Sequence, residues 1–136
     1  MTSAHFSHDP ASVRKARTFV ADAFGQASEE QRDRAVLITS ELATNAVIHA
    51  ESAFTVTTTT TAEEIHVAVT DAGGAVPHLR QPKQSELHGR GLLITNSLAD
   101  RWGVEIRSGG TTVWFVLALR ASSGGGRRSV PGGARR

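Results

Sequence analysis

Cysteine is absent from this 136-residue chain. Its absence excludes disulfides and thiolate metal sites, and suits a cytoplasmic protein. Apolar runs are short, and none approaches the roughly 18 residues that a membrane-spanning helix needs. The N-terminus lacks a basic segment followed by an apolar stretch, so a secretory signal is not expected. Aromatic residues make up only 5% of the chain and do not cluster. That scarcity argues against a direct nucleic-acid binder. With 39% hydrophobic residues, enough remains for one domain of ordinary size with a packed core.

Charge of one sign is unevenly spread. Five of the 15 basic residues (Arg120, Arg127, Arg128, Arg135, Arg136) fall in residues 120–136, which contain none of the 13 acidic ones. The rest of the chain is therefore slightly acidic, and the high pI belongs partly to the tail. Residues 121–136 are rich in Gly, Ser and Arg and poor in apolar side chains. They are expected to be disordered, with residues 1–120 forming the domain.

The pattern along the domain predicts helix, helix, two strands, a loop, a helix and two strands. Asp9-Pro10 can start a first helix that stops at Gly25. Ser28-Glu29-Glu30-Gln31 is a capping-box pattern for a second helix over about 29–49. Residues 54–61 and 65–70 read as strands around a turn at Ala62-Glu63-Glu64. Residues 75–88, with Pro77 and Pro82, read as a long loop. A third helix opens at Gly89-Arg90-Gly91. Residues 101–107 and 111–119 read as closing strands. Helices on one face of a mostly antiparallel sheet, a two-layer α+β sandwich, would suit this order.

Four pieces carry possible chemistry. Glu41, Asn45 and His49 fall on one stripe of the second helix, whose remaining positions are apolar over most of the circumference. A buried carboxylate and carboxamide need partners. Either they line a polar pocket, with Asn45 able to ligate Mg2+ and Glu41 able to act as a base, or they brace a neighbouring loop. Asp71 ends a strand just before Gly73; it can accept a hydrogen bond from an exocyclic amine such as adenine N6, or simply form a turn. Gly89-x-Gly91 before a helix can bind an anion through backbone N–H groups, helped by His88 and Arg90, or can be a hinge. Thr112 at a strand start can bond a phosphate, or reflect strand propensity alone. His5, His8, His66 and His78 show no metal-ligand spacing.

Taken in order, these pieces resemble the ATP-binding domain of the gyrase, histidine kinase and MutL superfamily. Glu41-x-x-x-Asn45-Ala46-x-x-His49 looks like its N box and Asp71-x-Gly73 like its first glycine box, which departs from the usual pattern at Ala75. His88-Gly89-Arg90-Gly91-Leu92 looks like its second glycine box, and the loop between them like its ATP lid. Within the superfamily, Ser40-Glu41-Leu42-Ala43-Thr44-Asn45-Ala46, Leu98-Ala99-Asp100-Arg101-Trp102-Gly103 and Thr112-Val113-Trp114-Phe115 resemble the small anti-sigma-factor serine kinases of actinobacteria. The resemblance covers about residues 5–119.

It implies a Bergerat-type sandwich that takes ATP and Mg2+. Glu41 would be the catalytic base for a serine hydroxyl and Asn45 the metal ligand. Asp71 would read adenine, and Gly73, His88, Gly89, Arg90, Gly91 and Leu92 would shape the pocket and lid. Thr112 would contact phosphate. The implied partners are an anti-anti-sigma (STAS-type) protein as substrate and a sigma factor. Neither a membrane nor nucleic acid is implied, and a homodimer is left open. The alternative is a non-catalytic ATP-binding module that sequesters a protein partner.

Overall fold

The computed structural model describes residues 1–72, 92–120 and 133–134. Strand β1 (Thr2–Phe6) leads into helix α1 (Ala11–Ala23), and helix α2 (Glu29–Thr44) runs on into a π-helical segment, Asn45–His49. Strands β2 (Phe54–Thr60) and β3 (Glu64–Asp71) follow. A third helix, α3, covers 92–98. Strands β4 (Arg101–Arg107), β5 (Gly110–Ala118) and the two-residue β6 (Gly133–Ala134) complete the order.

The helix starts form for local reasons. Asp9 Oδ1 accepts the Ala11 N–H at 2.8 Å, so a carboxylate caps α1 just ahead of Pro10. Ser28 Oγ accepts the Gln31 N–H at 3.2 Å at the start of α2, with Glu29 and Glu30 in the first turn where the helix dipole favours them. Each cap satisfies one amide that the helix itself cannot.

The strands form one sheet in the order β1-β2-β3-β5-β4-β6, antiparallel throughout except for the parallel β4–β6 pair. Strict alternation sorts the side chains. Ile65, Val67 and Val69 of β3 oppose Leu117, Phe115 and Val113 of β5 on a buried face. Against that face pack Ala16, Val20 and Phe24 of the first helical stretch and Ala35, Ile38, Leu42 and Ala43 of α2. Phe6 stacks on Phe54 at 5.1 Å and meets Phe19 edge-on at 6.2 Å, which pins β1 and α1 together. The helices cover one face, so the architecture is the expected α+β sandwich.

The other face carries Thr70, His66, Thr112 and Trp114. Trp114 stacks on His66 at 5.4 Å and lies flat over Gly103, where a Cβ would come within 2.6 Å of the indole ring. Burial pushes the His66 pKa down. Near the end of α3, Asn96 Oδ1 accepts the Trp102 Nε1–H at 3.0 Å, and Asp100 Oδ2 accepts the Ala118 N–H at 2.9 Å. These bonds fix the passage from α3 into the closing hairpin.

Two expectations need correcting. The sequence pattern did not indicate β1, a short polar edge strand held by tertiary pairing that includes Ser3 Oγ···Thr57 Oγ1 and His5 Nδ1···Thr55 Oγ1, each 2.9 Å. The second helix is not buried all round: Leu37 is 46% exposed and Ile48 57%. Within the tail, Gly133–Ala134 pair with Gly103 and Val104, and the rest of 121–136 lies outside the described residues.

Candidate functional site

Glu41 and Asn45 sit on the last α-helical turn before the winding changes, and the Asn45 N–H donates to the Glu41 carbonyl. Glu41 is half-buried. Asn45 is only 8% exposed, and its Nδ2 has no hydrogen-bond partner among the described residues. An unpaired buried amide costs about 1–3 kcal/mol. A ligand that meets this carboxamide would remove that cost.

Beyond Asn45 the helix widens. The Ala50 N–H donates to the Asn45 carbonyl at 2.9 Å, a five-residue step. The Asn45 carbonyl is therefore taken by the Ala50 N–H rather than by that of His49. Glu51 takes the left-handed conformation (φ 53°), and the Ser52 N–H closes the helix onto the Ala46 carbonyl at 3.1 Å. A regular closure would reach Val47. The wider winding leaves the Val47 carbonyl over, and His8 Nε2 pairs with it at 2.9 Å.

Asp71 stands at the end of β3, opposite Phe54 of β2 and Thr111 of β5. By alternation it shares the helix-covered face with Val69 and Val67. Gly110 packs so closely on the Asp71 carbonyl oxygen that a Cβ there would collide with it. One residue beyond Asp71, the Ala72 N–H donates to Ser52 Oγ at 3.1 Å, and that hydroxyl donates to the Ala53 carbonyl at 2.6 Å. Ser52 thus joins the end of the Asn45 helix to the end of the Asp71 strand.

Thr112 is on the opposite side. It opposes Thr70, and their hydroxyls meet at 2.8 Å on the face away from the helices. The hydroxyl residue that shares a face with Asp71 is Thr111, which is buried. Alternation carried the signal: Val113, Phe115 and Leu117 mark the core parity, and Thr111 continues it. Ser52 and His8 were also missed, and no local pattern marks either. Leu92 begins the described part of α3 and is half-buried. Gly73, His88, Gly89, Arg90 and Gly91, with the loop over 75–88, lie outside the described residues.

Among the described residues no cluster of three or more His, Asp or Glu is placed to hold a metal. A single carboxamide oxygen still suits Mg2+, which keeps waters and substrate phosphates in its shell. Chemically, the arrangement combines a carboxylate one helical turn from a hard oxygen donor with a second carboxylate and a hydroxyl at adjacent strand ends. No helix among the described residues is long and apolar enough to cross a membrane.

Residues 6–117 match the histidine kinase-like ATPase domain family. No curated protein matches the chain. Among solved structures, the RsbU and RsbW domains of Rv1364c from Mycobacterium tuberculosis superpose with a TM-score of 0.68 at 18% identity, over 88% of this chain. The chain spans only 33% of that structure's length. The catalytic domain of histidine kinase ThkA, in a nucleotide-free form, superposes with a TM-score of 0.52 at 16% identity, over 89% of this chain and 100% of that one. At these identities the likeness is one of fold.

Proposed function

The chain belongs to the histidine kinase-like ATPase domain family, and on that premise we propose that it is an ATP- and Mg2+-dependent serine protein kinase that acts as an anti-sigma factor. Its substrate would be an anti-anti-sigma protein of STAS type, and its other partner a sigma factor. The resemblance of residues 40–46, 98–103 and 112–115 to the small anti-sigma-factor serine kinases supports this choice over a histidine kinase.

The observation that carries the reading is Glu41 one helical turn from Asn45. Nucleotide binding alone requires no base, whereas transfer to a hydroxyl benefits from one. In the proposed step the substrate serine oxygen forms a bond to the γ-phosphorus as the bond to the ADP oxygen breaks. Glu41 accepts the serine proton. Asn45 would ligate Mg2+, which when bound offsets phosphate charge. Asp71 would accept from the adenine amine, and Thr111, on the same face, would donate to the nucleotide.

The test is phosphoryl transfer from labelled ATP to STAS-type proteins of the same genome. Glu41→Ala should retain ATP and sigma-factor binding and lose transfer by at least about 100-fold. Asn45→Ala should lose Mg2+-dependent ATP binding as well. If the wild type binds ATP but phosphorylates no such protein, the chain is a non-catalytic ATP-binding module that sequesters its partner. Wild-type transfer by Glu41→Ala would remove Glu41 from the role of base.

A further inference from the structure

The two halves of the candidate site come from segments far apart in sequence. Asn45 is on a helix end, and Asp71 is on a strand end. Backbone pairing between β2 and β3 stops at Phe54 opposite Asp71. Beyond that point the ladder continues through one side chain. The Ser52 hydroxyl accepts the Ala72 N–H at 3.1 Å and donates to the Ala53 carbonyl at 2.6 Å. The Ser52 N–H simultaneously closes the π-helical segment onto Ala46, the residue after Asn45, at 3.1 Å. One residue therefore bonds the chain next to Asn45 and the chain next to Asp71.

The surroundings leave this junction little freedom. Glu51 is fixed in a left-handed turn that aims Ser52 back at the helix. His8 holds the Val47 carbonyl, so the widened helix end cannot rewind toward Ser52 without losing a partner. On its other side the Asp71 carbonyl is packed by Gly110. Asp71 is thus located between a glycine contact and the serine hydroxyl. A carboxylate that reads an amine must be placed to within about 0.5 Å.

We propose that Ser52 is a positioning residue that sets the Asp71 end of the pocket relative to the Asn45 end, and so governs how well both engage one ligand. This rests on the nucleotide reading above. Loss of the hydroxyl would leave the helix cap and the β2–β3 ladder in place but free the Ala72 amide. The strand end would then sample positions in which Asp71 and Asn45 no longer fit the same molecule.

The experiment compares Ser52→Ala and Ser52→Thr with the wild type by amide hydrogen exchange without nucleotide and by ATP titration calorimetry. In Ser52→Ala, exchange at Ala72 should rise about tenfold and ATP should bind about fivefold more weakly, because a net hydrogen bond is worth this much. Ser52→Thr keeps the hydroxyl and should restore both. Combined with Asp71→Asn, the Ser52→Ala loss should shrink, since the residue acts through Asp71. A purely structural role would lower the melting temperature and leave the affinity of the folded protein unchanged. That outcome overturns the proposal, as do losses that Thr does not restore or that multiply with Asp71→Asn. If the wild type binds no ATP, the nucleotide reading falls. Exchange at Ala72 then decides the clasp alone: acceleration in Ser52→Ala with recovery in Ser52→Thr sustains it, and unchanged exchange overturns it.

Discussion

Thr111 and Thr112 are chemically identical neighbours, and only the sheet separates them. Thr111 shares the helix-covered face with Asp71, whereas Thr112 pairs with Thr70 on the other face. Thr111→Val keeps the shape and removes the hydroxyl, and should weaken ATP about tenfold. Thr112→Val should change it by less than about twofold, since it breaks only an exposed hydroxyl pair. The reverse ranking in titration calorimetry would place the nucleotide on the wrong face. Asp71→Asn is the companion test. An amide can turn an N–H toward an adenine amine that needs an acceptor, so the loss should reach about 10- to 100-fold, or roughly 1.5–3 kcal/mol for a charged hydrogen bond. Unchanged affinity in a folded Asp71→Asn protein would withdraw adenine recognition from this residue.

At the scale of elements, what was legible in the sequence is what local chemistry decides. Ser28 caps α2 as its spacing from Gln31 indicates, and the apolar alternation of Ile65, Val67 and Val69 survives intact in β3. Glu41 and Asn45 keep their one-turn relation because α2 is regular up to that point. Legibility ends where a partner comes from elsewhere. The π-helical segment is accompanied by His8 taking the Val47 carbonyl and Ser52 closing onto Ala46, contacts that a pattern drawn at 3.6 residues per turn does not show. Edge strand β1 depends on pairing with β2. The β4–β5 turn offers an element-level test. Gly110 has φ +151°, a region L side chains rarely adopt, and its Cα faces the Asp71 carbonyl. Gly110→Ala should cost about 1–3 kcal/mol in denaturant unfolding and also weaken ATP, because the backbone that must yield carries Asp71. Wild-type stability and affinity together would show that the turn does not brace the site.

Across the whole molecule, the open sheet face makes stability depend on pH in a direction the geometry fixes. Arg101 reaches over this face to Glu64 through two bonds, Nη1 to Oε1 at 3.2 Å and Nη2 to Oε2 at 2.9 Å, and so ties β4 to β3 across β5. The Arg101 hydrogen bond holds the Glu64 carboxyl below its ordinary pKa of 4.5. Burial against Trp114, with Arg101 nearby, holds His66 below its ordinary 6.5. For both groups the unfolded chain binds protons more tightly than the folded one, so stability rises with pH through each range. The His66 contribution is complete above about pH 6.5 and is lost as pH falls toward the depressed folded value. The Glu64 contribution is complete above about pH 4.5 and is lost below it. Water screens the half-exposed ion pair, so its share is modest and shrinks with salt. Melting temperature should therefore fall from pH 7 to pH 5, and His66→Phe, which preserves a ring on Trp114, should flatten that limb. Arg101→Met should flatten the further fall below pH 4.5 instead. Because these groups lie on the face opposite Asp71, His66→Phe should leave ATP affinity at pH 7 unchanged. If His66→Phe melts with the wild-type slope between pH 7 and pH 5, the neutral imidazole under Trp114 is not the group that the acid limb reports.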